Sequence, residues 1–279
     1  AAALPRLPVA EARAALAVLH EYAERFLRKL MQLYDAAHGQ WAAPVPQGGV
    51  GGGGSAESAS QLWETLRAWA AVAPAAVLGA CFDVVLKRLV PAVTHVARLS
   101  QTAYGTASGG ASGAEALGHL RMAVVCLGIA RAMAPHLDAD RAVALYTALK
   151  PAVTAEAQVL QKRGYRALES LLEHHSAVLL HADRLTDVVR LLMDALVGCS
   201  LAAKKGRLRC LRMLVDALDP TDDRQLQAVP IVAGEMCSCV KEANTRAREL
   251  AEECVAAMAA KLNAARQAAV AAGAAPTPE

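Results

Sequence analysis

Three clusters of positive charge recur along this chain at an almost constant interval, and each opens a stretch whose apolar residues then fall at helical spacing. They are Gln161-Lys162-Arg163-Gly164-Tyr165-Arg166-Ala167-Leu168, Lys204-Lys205-Gly206-Arg207-Leu208-Arg209-Cys210-Leu211 and Asn244-Thr245-Arg246-Ala247-Arg248-Glu249-Leu250. From Lys162 to Lys204 is 42 positions, and from Lys204 to Arg246 is 42 again. A period of roughly 40 to 47 residues holding two or three helices is the mark of HEAT and armadillo arrays. A unit of that kind cannot bury its apolar face alone, so it stacks on its neighbours and builds an extended surface for a partner. The spacing predicts an all-α chain, an α-solenoid of HEAT/armadillo-like helical hairpins, acting as a binding scaffold and not as an enzyme.

The composition points the same way. Hydrophobic residues make up 55% of the chain but aromatics only 4%, and alanine, the best helix former, is abundant, whereas sheets draw on β-branched and aromatic side chains. A formal charge of +3 is too modest to argue for nucleic acid by itself, so the clustering of charge carries the argument. Seven cysteines, an odd number at irregular spacing, do not make a secreted disulfide framework and favour a reducing compartment. The apolar run Ala68–Phe82 is interrupted by Pro74 and is shorter than the roughly 20 residues a helix needs to cross a bilayer; no membrane partner is expected. Ala1–Ala12 lacks the charged-then-apolar pattern of a secretory signal.

Along the chain, residues 1–38 read as a helical segment with Leu16, Leu19, Ala23, Phe26, Leu27, Leu30 and Leu33 in register. Residues 39–60, with Pro44, Pro46 and the run Gly48 to Gly54, read as a Gly/Pro-rich linker. The glycines do not form a phosphate loop, because Ser55-Ala56-Glu57 follows where such a loop ends in Gly-Lys-Ser/Thr. Helical repeats are expected over 61–104, a Gly/Ser loop over 105–113, HEAT-like helical repeats over 114–270 and a disordered tail over 271–279. Pro74 and Pro91 suit first-turn positions, and Pro230 should kink or split its helix. Asp219-Pro220-Thr221-Asp222 combines a stop with a capping start.

No catalytic constellation emerges: there is no Gly-x-Ser-x-Gly elbow and no Cys/His/Asn set of note. No metal is expected either. Cys237 and Cys239 have Cys-x-Cys spacing, which sends two helical thiols to different faces, and His174 and His181 lack an i+4 partner and a third ligand. No cofactor or small-molecule substrate is implied. The candidate contacts are Lys162, Arg163, Arg166, Lys204, Lys205, Arg207, Arg209, Arg212, Arg246 and Arg248, which stacked repeats would align as a phosphate-binding ridge. The plainer alternative is a solvated face partly neutralised by Glu169, Glu249 and Glu252. In the second and third blocks the charge lies near a helix amino end, where the dipole disfavours it, so its recurrence asks for an acidic partner.

Lys150-Pro151, the block Gln161 to Glu169, Arg207-Leu208-Arg209-Cys210-Leu211 and above all Lys241-Glu242-Ala243-Asn244-Thr245-Arg246-Ala247-Arg248-Glu249-Leu250-Ala251 resemble, in order and spacing, the ribosomal RNA-processing protein twelve family. The likeness is good over Lys150 to Leu262, weaker over Leu62 to Leu99 and absent from the glycine stretches. It implies a nuclear or nucleolar HEAT-repeat factor of ribosome biogenesis, without a catalytic centre. Its partners would be pre-ribosomal RNA and assembly proteins of the small-subunit precursor, in support of rRNA processing or nuclear export. The alternative is a protein-only adaptor of the same architecture, such as a nuclear transport adaptor gripping a peptide or helix.

Overall fold

The computed structural model describes residues 8–41, 53–102 and 111–271. Residues 1–152 and 153–279 form two compact units, and among the described residues every regular element is a helix.

In the first unit, α1 (Val9–Trp41), α2 (Gly53–Val72), α3 (Ala75–Thr102) and α4 (Ala111–Met133) pack on one another, and a single 3-10 turn, Ala134–His136, leads to α5 (Ala139–Val153). On α1 the buried stripe is Ala23, Leu27, Leu30 and Tyr34, an i, i+4, i+7, i+11 pattern that keeps one face inward. Phe26 and Leu33, expected in that stripe, are partly exposed; Phe26 instead stacks on Trp69 of α2, with ring centroids 4.8 Å apart. Trp63 of α2 donates its indole N–H to the Gly128 carbonyl of α4 at 3.1 Å.

α2 starts at Gly53, well before the expected 61, because the stretch from Ser55 to Ser60 contains no proline or glycine and tolerates helix. Residues 42–52 of the expected linker, 103–104 of the expected repeats, 105–110 of the expected Gly/Ser loop and 272–279 of the expected tail lie outside the described residues. Pro91 does not begin a new helix; α3 runs through it. Ala92, Val93 and Val96 extend the buried stripe of Val85 and Leu89, so packing holds the helix together. The hydrogen bond that proline cannot make is lost on the exposed side of α3, where water can solvate the Lys87 carbonyl.

The segment Gly113–His136 is long and apolar enough to cross a membrane, yet half of its apolar window is buried inside the protein. Its contacts with α1, α2 and α3 make it the core helix of this unit. Arg141 of α5 forks onto both carboxylate oxygens of Asp83 on α3 at 3.0 Å each, and this hydrogen bonding holds the Asp83 carboxyl below its usual range. Gly79 leaves room for the fork: a Cβ there would stand 2.6 Å from the Arg141 Cζ.

The second unit contains α6 (Gln158–Leu179), α7 (Ala182–Asp194), α8 (Leu201–Ala217), the single turn α9 (Asp223–Leu226), α10 (Ala228–Cys239) and α11 (Thr245–Ala271). α8 packs between α6 and α11, while α7 meets α9 and α10. The helices therefore alternate between two layers, which is the stacking of a helical-repeat fold. Asp222 caps α9, accepting the Arg224 amide at 3.0 Å. The break in this region falls at Gln227, between α9 and α10, and not at Pro230. That proline is the third residue of α10, where an amide has no intrahelical acceptor to lose.

Candidate nucleic-acid interface

α6 and α8 approach closely because of what they place between them. Tyr165 on α6 is fully buried, and Gly206 sits against it: a Cβ on Gly206 would lie 3.0 Å from the Tyr165 Cβ. This explains a glycine at the centre of a helix, where it costs about 1 kcal/mol relative to alanine. The Cys210 thiol faces the Tyr165 carbonyl at 3.6 Å. Gln161, also fully buried, donates to the Gly198 carbonyl at 2.9 Å and accepts the Ser200 amide at 2.8 Å. It thereby fixes the turn that launches α8.

The outer faces of the two helices then border a groove of about 380 Å³ lined by Lys162, Arg166 and Glu169 from α6, Lys205 and Arg209 from α8, and Asn244. Lys162 and Lys205 are each the fifth residue of their helix, and Arg166 and Arg209 each the ninth. An i, i+4 pair on each side directs all four cations along one edge. Glu169 is the one acid of the lining, with an oxygen 3.9 Å from Arg209. Lys162, Arg166 and Lys205 enter no ion pair among the described residues. Four cations against one carboxylate over a solvent-open groove form a local positive field suited to phosphate.

The remaining members of the expected ridge lie elsewhere. Arg163 is half-exposed but outside the groove. Lys204 pairs with Glu242 in the turn before α11. Arg212 is held by Asp216 at 3.1 Å and faces Glu253 at 3.6 Å, and Arg246 pairs with Glu249 at 2.9 Å and Glu253 at 3.4 Å. Arg248 donates to the Glu242 carbonyl at 3.2 Å. Towards α11 the positive edge is thus neutralised within the protein itself.

Arg207 requires a correction, because it is no part of any exposed ridge. It is 1% exposed, donates from Nε to the Leu192 carbonyl of α7 at 3.1 Å and from Nη2 to Glu235 Oε2 of α10 at 2.7 Å, and pairs through Nη1 with the other Glu235 oxygen. Burial lowers its pKa, but an arginine remains charged, so the pair acts as a rivet joining α8 to the opposite layer. Asn244 is likewise structural, capping α11 by accepting the Ala247 amide at 3.1 Å.

Of the other polar clusters weighed in the sequence, His174 bonds its own helix through the Ser170 carbonyl at 2.9 Å. Cys237 is exposed, whereas Cys239 and Cys254 are buried. Sequence reasoning passed over His95, Glu115 and His119, which converge in the first unit; the Glu-x-x-x-His spacing of 115 and 119 was the available signal.

No protein-family model matches the chain. It is 30% identical over 120 residues to the RRP12-like protein of Homo sapiens, covering 42% of this chain and 9% of that protein. It is 26% identical over 131 residues to the ribosomal RNA-processing protein 12 of Saccharomyces cerevisiae, covering 47% and 10%. The RRP12-like protein of Gallus gallus is 26% identical over 120 residues, covering 42% and 9%. The chain thus spans about a tenth of the length of the curated relatives it matches. The resemblance read from the residues of α6, α8 and α11 and the similarity measured along the chain agree: over almost half its length this sequence is similar to ribosomal RNA-processing protein 12 and the RRP12-like proteins.

Proposed function

We propose that this chain is a non-catalytic HEAT/armadillo-type scaffold of ribosome biogenesis that grips precursor ribosomal RNA of the small subunit through the groove between α6 and α8. The observation that carries the proposal is the set Lys162, Arg166, Lys205 and Arg209 facing one groove with Glu169 as its one acid. Phosphate contacts need clustered, hydrated cations, and base identity need not be read; three of the four have no ion-pair partner among the described residues, and Arg209 has only the 3.9 Å approach to Glu169. The name of the yeast relative, a ribosomal RNA-processing protein, supports ribosomal RNA as the class, and the small-subunit precursor is what the sequence resemblance implies. Assembly proteins would be held by the remaining helical surface, in the nucleus or nucleolus, in support of rRNA processing or export of the particle.

The rival reading, a protein-only adaptor such as a nuclear transport adaptor, draws on Val197 and Leu201, two apolar side chains exposed by 97% and 86% beside the turn into α8. Purification of the tagged chain from its own cells, with and without nuclease, separates the two. RNA of the small-subunit precursor should co-purify with assembly factors and be lost after nuclease or high salt. Recovery of proteins alone, unchanged by nuclease, would overturn the RNA reading and favour the adaptor.

A further inference from the structure

We propose that His95, Glu115 and His119 form a zinc site that clasps α3 to α4. Glu115 and His119 stand at i and i+4 on α4 and so share a face, with Glu115 Oε1 4.0 Å from His119 Nε2. His95 comes from α3, the principal packing partner of α4. Its ring lies against that of His119, with centroids 4.1 Å apart and planes tilted by 31°. One ligand atom from each of the three residues lies within 4.8 Å of the other two.

Zinc binds imidazole nitrogen and carboxylate oxygen at about 2.0 to 2.2 Å, so neighbouring ligand atoms of a tetrahedral shell are roughly 3.4 Å apart. The contraction from the present separation is within reach of side-chain rotation alone, since Glu115 is largely exposed and both histidines are half-buried. Two imidazoles and one carboxylate select a borderline transition metal, because calcium and magnesium take oxygen ligands throughout. Three protein ligands on a partly exposed edge leave a fourth position for water. The clasp ties together the two helices that residues 103–110 connect in sequence.

The test is to titrate the metal-free full chain under reducing conditions with Zn²⁺ by calorimetry, and with Co²⁺ by visible absorption. The expected result is one equivalent bound, with a tetrahedral Co²⁺ spectrum free of thiolate charge-transfer bands and a raised melting temperature. Loss of an outer-shell partner already weakens metal binding 10- to 100-fold, so His95→Ala and His119→Ala should each weaken Zn²⁺ binding by at least about 100-fold, with helical circular dichroism retained. Thiolate bands in the Co²⁺ complex would place the metal on cysteines and overturn the proposal. So would undiminished binding by the two variants, or no binding by the parent chain, the latter holding even if a variant fails to fold.

Discussion

Arg207→Met is expected to destabilise the second unit by about 3–5 kcal/mol, the range measured when one partner of a buried ion pair is removed. Glu235 is left with a side chain only 5% exposed and no counter-charge, and the Leu192 carbonyl loses its guanidinium donor. That is a large share of the roughly 5–15 kcal/mol that keeps a domain folded. The double variant Arg207→Met, Glu235→Leu should recover most of the loss, since replacing both members with apolar groups removes the stranded charge. Urea unfolding, with hydrogen exchange resolving the helices of residues 153–279, measures both. A single variant within 1 kcal/mol of the parent would refute the rivet, and a double variant as unstable as the single would show that the stranded charge is not the cause.

The second large effect concerns RNA. Reversing Lys162, Arg166, Lys205 and Arg209 together to glutamate should lower affinity for single-stranded RNA by on the order of a hundred- to a thousandfold at 0.1 M salt. The estimate follows from counterion release, in which four phosphate contacts contribute a slope of about −2.8 in log affinity against log salt. The slope itself should become shallower by about that amount. All four side chains are at least partly exposed, so the helices should survive. A matched control, Arg163, Arg190, Arg224 and Arg266 all changed to glutamate, makes the same change of charge outside the groove, at side chains without an ion pair among the described residues, and should weaken binding far less. Equal losses in the two variants would mean that only net charge matters. Arg207 and Lys204 are deliberately left intact, because their partners Glu235 and Glu242 make reversal there a test of folding.

The helical class and most helices were legible because apolar residues at 3.6 spacing leave little else to fold. The charges were legible only as blocks. Arg207 and Arg209 look alike in sequence, yet Arg207 continues the buried stripe of Ala203, Cys210, Leu211 and Leu214 on α8, whereas Arg209 points to the groove. A stricter helical projection would have separated them. Its partner Glu235 lies on another helix beyond a turn, and no local pattern announces that pairing. His95 with Glu115 and His119 required the packing register of α3 on α4, which depends on long-range contacts. Pro91 and Pro230 look like helix boundaries in the sequence, but a proline disturbs a helix only where its missing amide is needed and cannot be replaced by water.

The central claim is that the groove between α6 and α8 touches RNA in the cell. Ultraviolet crosslinking in living cells, followed by mass spectrometry of peptides carrying a nucleotide, tests it most directly. The account predicts crosslinks on peptides spanning residues 158–171 and 201–212, attached to RNA of the small-subunit precursor. Crosslinks confined to α1 through α5, or none from a folded chain recovered in quantity, would contradict it.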